Sequence, residues 1–351
     1  MPAYLHGLAT AVPPHVIEQN EALARSQRIL EPVYPQFAAV SESFLRAGID
    51  RRHSIVPLTW FDRPKGWQER NAAYLTGASA LFVEAARKAL ASANLTAGDI
   101  DCIVTVSSTG IATPSLEAMV HAEMGFRTDV KRVPVFGLGC AGGTSGLDLA
   151  RSLAEAEHGS RILFVCIELC TLSFRSKTPQ KSDVVATMLF GDGAAAAVLS
   201  SSPPDHATPV RLHGGYQHLW PNTLNVMGWD LDEDGLVVVF DRAIPPFISS
   251  QFREASLGAL AHFNLTLHSG PRFVCHPGGA KVISALEDAL NLGDGALEAE
   301  RKVLANYGNM SAPTVLFVLK EALKAGLEGP FVMAALGPGF TASFVHASRG
   351  T

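Results

Sequence analysis

GLGCAGG, residues 137–143, follows the apolar run Val133–Phe136 and precedes a segment with Leu147, Ala150, Leu153 and Ala154 on one helical face. The pattern predicts strand, glycine-rich turn and helix, with Cys140 at the tip of the turn. A helix N-terminus gathers unpaired N–H groups and the positive end of the helix dipole. A thiol there has a lowered pKa and is a better-populated nucleophile. The flanking glycines are expected to leave Cys140 exposed. Ala141, Gly142 and Gly143 are expected to let a substrate come close. An inert core thiol is the commoner fate of a cysteine, and it suits Cys102 and Cys166 better.

Outward from this unit, strands and helices alternate. Ala3–Val12 reads as a first strand, and Gln68 to Ala93 as a helix carrying Leu75, Ala78, Phe82, Ala85, Ala86 and Leu90. Asp101–Val106, Arg161–Cys166 and Ala194–Leu199 read as strands. The last third repeats the order: strand Phe273–Cys275, a helix with Val282, Ile283, Leu286 and Leu290, then Tyr307–Asn309 leading into a helix with Val315, Leu316, Leu319 and Leu323. Strand Phe331–Leu336, turn Gly337–Gly339 and strand Thr341–His346 close the chain. Two such passages imply a duplicated α/β chain, divided into residues 1–205 and 206–351 by the Ser- and Pro-rich stretch Ser200–Pro209. Tyr216–Val239 is less regular, and reads as a binding insertion or a surface excursion.

The chain has 351 residues, 47% hydrophobic and 17% charged, enough for a large core. A net charge of −5 gives no electrostatic reason to expect nucleic-acid binding. Five cysteines without short paired spacings make a poor disulfide framework and fit a reduced, cytoplasmic protein. Cys166 and Cys170 lie in or beside an apolar run with no histidine near them in sequence, so no metal site is expected. Met1–Val12 lacks the features of a signal peptide, and no apolar run is long enough to span a bilayer.

Two further loops hold candidate groups. In CHPGG, Cys275–Gly279, His276 stands at a strand end, where side chains face a cleft in α/β folds. It can take a thiol proton or donate to a developing oxyanion; a helix-capping role is the other reading. In YGNMSA, Tyr307–Ala312, Asn309 is either a helix cap or a neutral donor for an oxyanion or enolate. Cys, His and Asn at corresponding ends of a duplicated chain are more specific together than apart.

Here the sequence resembles the thiolase-like condensing enzymes, and among them the chalcone synthase family of type III polyketide synthases. The resemblance covers essentially the whole chain and is strongest at GCAGG (139–143), LFGDGAAA (189–196), CHPGG, YGNMSA and GPGF (337–340). The related ketoacyl synthase III enzymes usually carry His-Gln-Ala-Asn where this chain has His276-Pro277-Gly278-Gly279, which favours the polyketide branch.

The resemblance implies an αβαβα layered fold and an acyltransferase needing no cofactor beyond its coenzyme A thioester substrates. Cys140 would take an acyl group, His276 and Asn309 would hold the malonyl-CoA carbonyl, and decarboxylation would give an enolate that attacks acyl-Cys140. Phe190 would separate the CoA tunnel from the cavity. Ser108, Thr113, Cys170, Ser173 and Ser311 match cavity-lining positions. Val238 stands where plant relatives have a phenylalanine, which suggests more room. Thr113-Pro114 matches a segment reaching into the partner of a homodimer. Gly337 and Gly339 flank Pro338 in a cavity-shaping loop. Arg46 matches a CoA-phosphate contact, with Arg51, Arg52 and Lys281 nearby; a solvated surface charge is the other reading for each. These matches imply a homodimer that uses malonyl-CoA and a medium-to-long acyl starter to make alkylpyrones or alkylresorcinols, with a fatty-acid-synthesis acyl donor protein as a possible partner. The alternatives are a ketoacyl synthase III-type enzyme, a cysteine hydrolase and a non-enzymatic acyl-binding protein.

Overall fold

The computed structural model describes residues 2–204, 208–241, 243–267 and 270–350. The expected boundary between residues 205 and 206 lies outside the described residues. The strands are β1 (Ala3–Ala11), β2 (His15–Glu18), β3 (Arg51–Ser54), β4 (Cys102–Val106), β5 (Lys131–Val135), β6 (Arg161–Leu169), β7 (Asp192–Ser200), β8 (Val210–Leu219), β9 (Met227–Asp232), β10 (Gly235–Phe240), β11 (Arg272–Cys275), β12 (Gly329–Gly337) and β13 (Thr341–Arg349). The helices are α1 (Gln19–Leu30), α2 (Phe37–Leu45), α3 (Trp67–Ser92), α4 (Leu116–Met119), α5 (His121–Met124), α6 (Gly142–Ala156), α7 (Lys181–Leu189), α8 (Ile244–Phe247), α9 (Arg253–His262), α10 (Ala280–Leu290), α11 (Glu298–Tyr307) and α12 (Thr314–Lys324).

One sheet runs β11-β12-β13-β8-β1-β7-β6-β4-β5. Its two flanks repeat one pattern. β4 is parallel to β6, β6 antiparallel to β7, and β7 antiparallel to β1. Likewise β11 is parallel to β12, β12 antiparallel to β13, and β13 antiparallel to β8. β1 joins the flanks, pairing Tyr4–Ala11 with β7 and Ala3–Leu5 with β8.

Side chains alternate across a strand, and in β6 both sets are apolar. Ile162, Phe164 and Cys166 share a core with Leu147, Ala150 and Ala154 of α6. Leu163, Val165 and Ile167 face Ala78, Phe82 and Ala85 of α3. β12 does the same, with Phe331 and Met333 turned to the first core and Val332, Ala334 and Leu336 to α10. Val315, Leu316 and Leu319 of α12 join α6 in that first core. The layers are therefore α3, the first flank, α6 with α12, the second flank, and α10. Gly146 of α6 lies flat on Phe164, where a Cβ would come within 2.6 Å of the ring. Truncating a core phenylalanine such as Phe164 costs about 3–5 kcal/mol.

The stretch Tyr216–Val239 is more regular than its sequence suggests. It holds the end of β8, which pairs Tyr216–Leu219 with β13, and most of the β9–β10 hairpin. Val238 of that hairpin is buried.

Candidate active site

Cys140 sits in a 3-10 turn, Gly139–Ala141, between β5 and α6. Gly137 (φ +91°) and Gly139 (φ +46°) take left-handed conformations that glycine accepts readily. The thiol is not exposed: Cys140 is 6% accessible. The second half of the chain covers the turn. A Cβ on Gly143 would lie 2.1 Å from the Ala312 carbonyl, and one on Gly337 2.6 Å from the Leu138 carbonyl. A Cβ on Gly142 would meet Val106 at 2.6 Å. These small residues serve close packing between halves, not substrate approach. Burial also reverses the expected electrostatics. It pushes the Cys140 thiol up to about 11, while hydrogen bonds from Ser311 and Asn309 pull the other way.

His276 follows β11, its backbone N–H donating to the Ala334 carbonyl at 2.8 Å. The ring is buried and neither nitrogen has a protein partner. Burial pushes its pKa down to about 4, so it is neutral at pH 7. Asn309 precedes α12. Its Oδ1 accepts the Ser311 N–H at 2.8 Å, and its Nδ2 donates to the Gly278 carbonyl at 3.2 Å. Gly278 belongs to the same loop as His276, with its N–H on the His276 carbonyl at 3.1 Å. Ser311 holds a left-handed φ of +57°.

Glu168 is a site group that the sequence reading passed over. It is the sole carboxylate in the apolar run of β6, and that isolation was the available signal. It accepts the Ser108 N–H at 2.9 Å and the Thr109 hydroxyl at 2.8 Å, while Oε1 has no partner. Burial raises its pKa to about 8, so it carries a proton at neutral pH. Once ionised, above about pH 8, its charge reaches both Cys140 and Cys170 and tends to keep both thiols protonated.

Cys170 packs with Ala186, Phe190 and Val238. The room expected beside Val238 is taken up: Phe240, two residues on, sets its ring edge-on to Phe190 with centroids 5.6 Å apart. A small pocket of about 50 Å³, partly open to solvent, is lined by Cys170, Phe190, Leu58, Phe61 and Phe174 among others. Ser173 lines it, its hydroxyl bonded to the Cys170 carbonyl at 2.8 Å. Ser108 is buried on Glu168. Thr113 is exposed on the protomer. Gly339, at φ +109°, turns the chain between β12 and β13.

The four basic candidates separate. Arg46 is exposed and paired with Glu42 at 3.0 Å. Lys281 is exposed at the start of α10, and Arg51 reaches Asn306 Oδ1 at 3.0 Å. Arg52 is neither a surface charge nor a coenzyme contact, because it is 3% accessible and bonded to internal carbonyls.

A duplicated five-layer fold with a buried cysteine at one helix start and an asparagine before the matching helix defines a thiolase-like condensing enzyme. The chalcone and stilbene synthase N-terminal domain matches residues 65–203, and the corresponding C-terminal domain matches residues 211–345. The chain is 37% identical over 342 residues to a 1,3,6,8-tetrahydroxynaphthalene synthase of Streptomyces peucetius subsp. caesius, covering 96% of this chain and 90% of that one. A putative chalcone synthase of Bacillus subtilis (strain 168) is 30% identical, with 98% of each covered. The crystal structure of the tetrahydroxynaphthalene synthase of Streptomyces coelicolor A3(2), a bacterial type III polyketide synthase, superposes with a TM-score of 0.93 at 28% identity, covering 99% of each chain. The chain belongs to the chalcone and stilbene synthase family of type III polyketide synthases, acyltransferases that work on coenzyme A thioesters.

Proposed function

We propose that the enzyme loads an acyl starter on Cys140 and extends it with malonyl-CoA by decarboxylative Claisen condensation. The observation that carries this is the Asn309 amide in hydrogen-bond reach of a buried cysteine, anchored to the loop of a buried, unpartnered, neutral His276. In loading, Cys140 Sγ attacks the starter thioester as its proton passes to the imidazole. The proton then leaves with the coenzyme A sulfur. In extension, His276 and Asn309 donate to the malonyl thioester oxygen. The bond to the carboxylate breaks, CO₂ departs, and its electron pair forms the enolate. The enolate carbon attacks acyl-Cys140 and releases the thiolate. Neutral donors suit this step, since they stabilise the oxyanion without protonating it.

The division of labour follows the halves, with Cys140 in residues 1–205 and His276 and Asn309 in 206–351. We assign Arg46 and Lys281, both exposed, to the coenzyme phosphates. The assembly is a homodimer, to which the exposed Ile111 and Phe136 would contribute apolar surface. Two chains of 37.3 kDa give about 75 kDa by sedimentation, and an active monomer would refute the dimer. Free cysteines fit a cytoplasmic setting.

For the starter we favour a medium-to-long acyl group giving an alkylpyrone or alkylresorcinol. The apolar residues beside Cys170, among them Phe190, Phe61 and Phe174, support an alkyl group, since an alkyl chain gains about 0.8 kcal/mol per buried methylene. The 37% identity to a tetrahydroxynaphthalene synthase favours a second reading, a fused-ring polyphenol. A naphthalene skeleton divides into two-carbon units and needs no alkyl starter. Incubation with malonyl-CoA alone, with a panel of acyl-CoAs, and with acyl carrier protein as donor, read by product mass, separates the two. An alkylated product supports the first reading; a naphthalene product from malonyl-CoA alone overturns it. A product extended only once would point to the ketoacyl synthase alternative.

A further inference from the structure

Asn309 is held from behind by backbone. Its N–H donates to the Leu189 carbonyl at 2.8 Å, and its own carbonyl accepts the Gly191 N–H at 3.0 Å, forming a one-residue bridge with Phe190. Gly191 and Gly308, which flank this crossing, both lie against the stem of Arg52. A Cβ on either would come within 3.2 or 3.5 Å of Arg52 Cβ. The guanidinium then wraps the end of α7, donating from Nη1 to the Thr187 carbonyl at 2.6 Å and to the Phe190 carbonyl at 3.2 Å. Its Nη2 meets Gln19 Oε1, and Gln19 Nε2 reaches the Phe44 and Met188 carbonyls at 2.9 and 3.3 Å.

Among the described residues no carboxylate pairs with Arg52. Its countercharge is the negative C-terminal end of α7. A buried cation without an ion partner is costly, and an apolar residue would serve packing better. What only arginine supplies is a rigid planar fork that reaches several acceptors at once.

We propose that Arg52 is a positioning residue, fixing the Phe190–Asn309 backbone crossing and so the place of the Asn309 amide and the Phe190 ring. The inference rests on the enolate role proposed for Asn309. It assigns Arg52 to extension, not to starter loading.

The test compares Arg52→Met, Arg52→Lys and Asn309→Ala in the full-length enzyme. Two rates are measured per folded protein: CO₂ release from malonyl-CoA, and acylation of Cys140 by intact mass. Arg52→Met is expected to slow CO₂ release about 10²-fold, the cost of misplacing a catalytic group by an ångström, with loading little changed. Arg52→Lys, which can reach one carbonyl, is expected to recover part of the loss. Equal slowing of both rates, or none, overturns the proposal. Should Arg52→Met fail to fold, Gln19→Leu is expected to show the same split more weakly, and equal losses there overturn it too. If Asn309→Ala leaves CO₂ release intact, the enolate role is the part that fails. If Asn309→Ala abolishes release and Arg52→Met spares it, only the Arg52 assignment falls.

Discussion

Ser311 donates its backbone N–H to Asn309 Oδ1 at 2.8 Å, and that bond decides which end of the amide faces the cysteine. With the oxygen engaged there and Nδ2 on the Gly278 carbonyl, the remaining N–H is the group turned toward chemistry. Asn309→Asp keeps the shape and the Ser311 bond but replaces the donor by an acceptor. It should lose malonyl-CoA decarboxylation as severely as Asn309→Ala, about 10²–10³-fold. Loading of Cys140 should suffer less in both. Steady-state CO₂ release checks this, and near-normal release by the aspartate variant would argue against a donor role.

Cys140 should be the acylated residue, since it alone of the cysteines has both Asn309 and Ser311 as partners. Cys140→Ala should abolish acyl labelling, while Cys166→Ala and Cys170→Ala should keep it. Because burial holds the Cys140 thiol high, loss of the His276 imidazole should slow its alkylation by iodoacetamide at pH 7. Raising the pH should restore the rate about tenfold per unit, as the thiolate fraction grows below the thiol pKa. Peptide mapping and a pH series of alkylation rates test both points. A His276→Ala enzyme that alkylates at the wild-type rate would show that the imidazole does not assist the thiol.

Cys170 is buried and lines the small pocket that Phe61 and Phe174 also line. Cys170→Phe should block it and shift starter preference toward shorter chains, since overpacking is itself costly. Relative kcat/KM for acetyl, hexanoyl, decanoyl and palmitoyl starters is the measurement. An unchanged preference would place the alkyl chain elsewhere.

Glu168 and Glu300 hold protons that the unfolded chain has released, with burial raising them from 4.5 to about 8 and about 7. The native state therefore binds more protons than the unfolded state, and stability must fall as pH rises through 7 and then 8. His276 and His346, both lowered from 6.5 to about 4, act in the opposite sense, but only below about pH 6.5. Between pH 6.5 and 8 the Glu168 share alone is about 2 kcal/mol. The denaturation midpoint should drop across that window, and Glu168→Gln should flatten the slope. A midpoint that rises with pH there would contradict the protonated carboxyl.

Unlike β2, β3 and β9, which have no clear apolar run, the central strands of this fold are legible because of their apolar runs, as in Ile162–Ile167. Their layer is not, since Phe164 and Val165 are equally apolar yet face different cores. The same limit governs the site. Cys140, His276 and Asn309 stand out by loop context. The turn that carries Cys140 is packed against Ala312, Gly337 and Pro338, far along the chain, and no local pattern announces that cover. Arg51 and Arg52 are neighbours of one residue type, and only the pleat of β3 sends one to water and the other to the interior.

The double pairing of β1 has a consequence for how the chain is made. β1 is a seam made before both of its partners, and Tyr4 must await Ser200 on one side and Arg211 on the other. Folding of this sheet cannot proceed strictly in the order of synthesis, and β1 stays unsatisfied until β7 and β8 exist. Once β1 is seated, neither half can open without stripping an edge from the other. The two repeated flanks are thereby tied into one sheet.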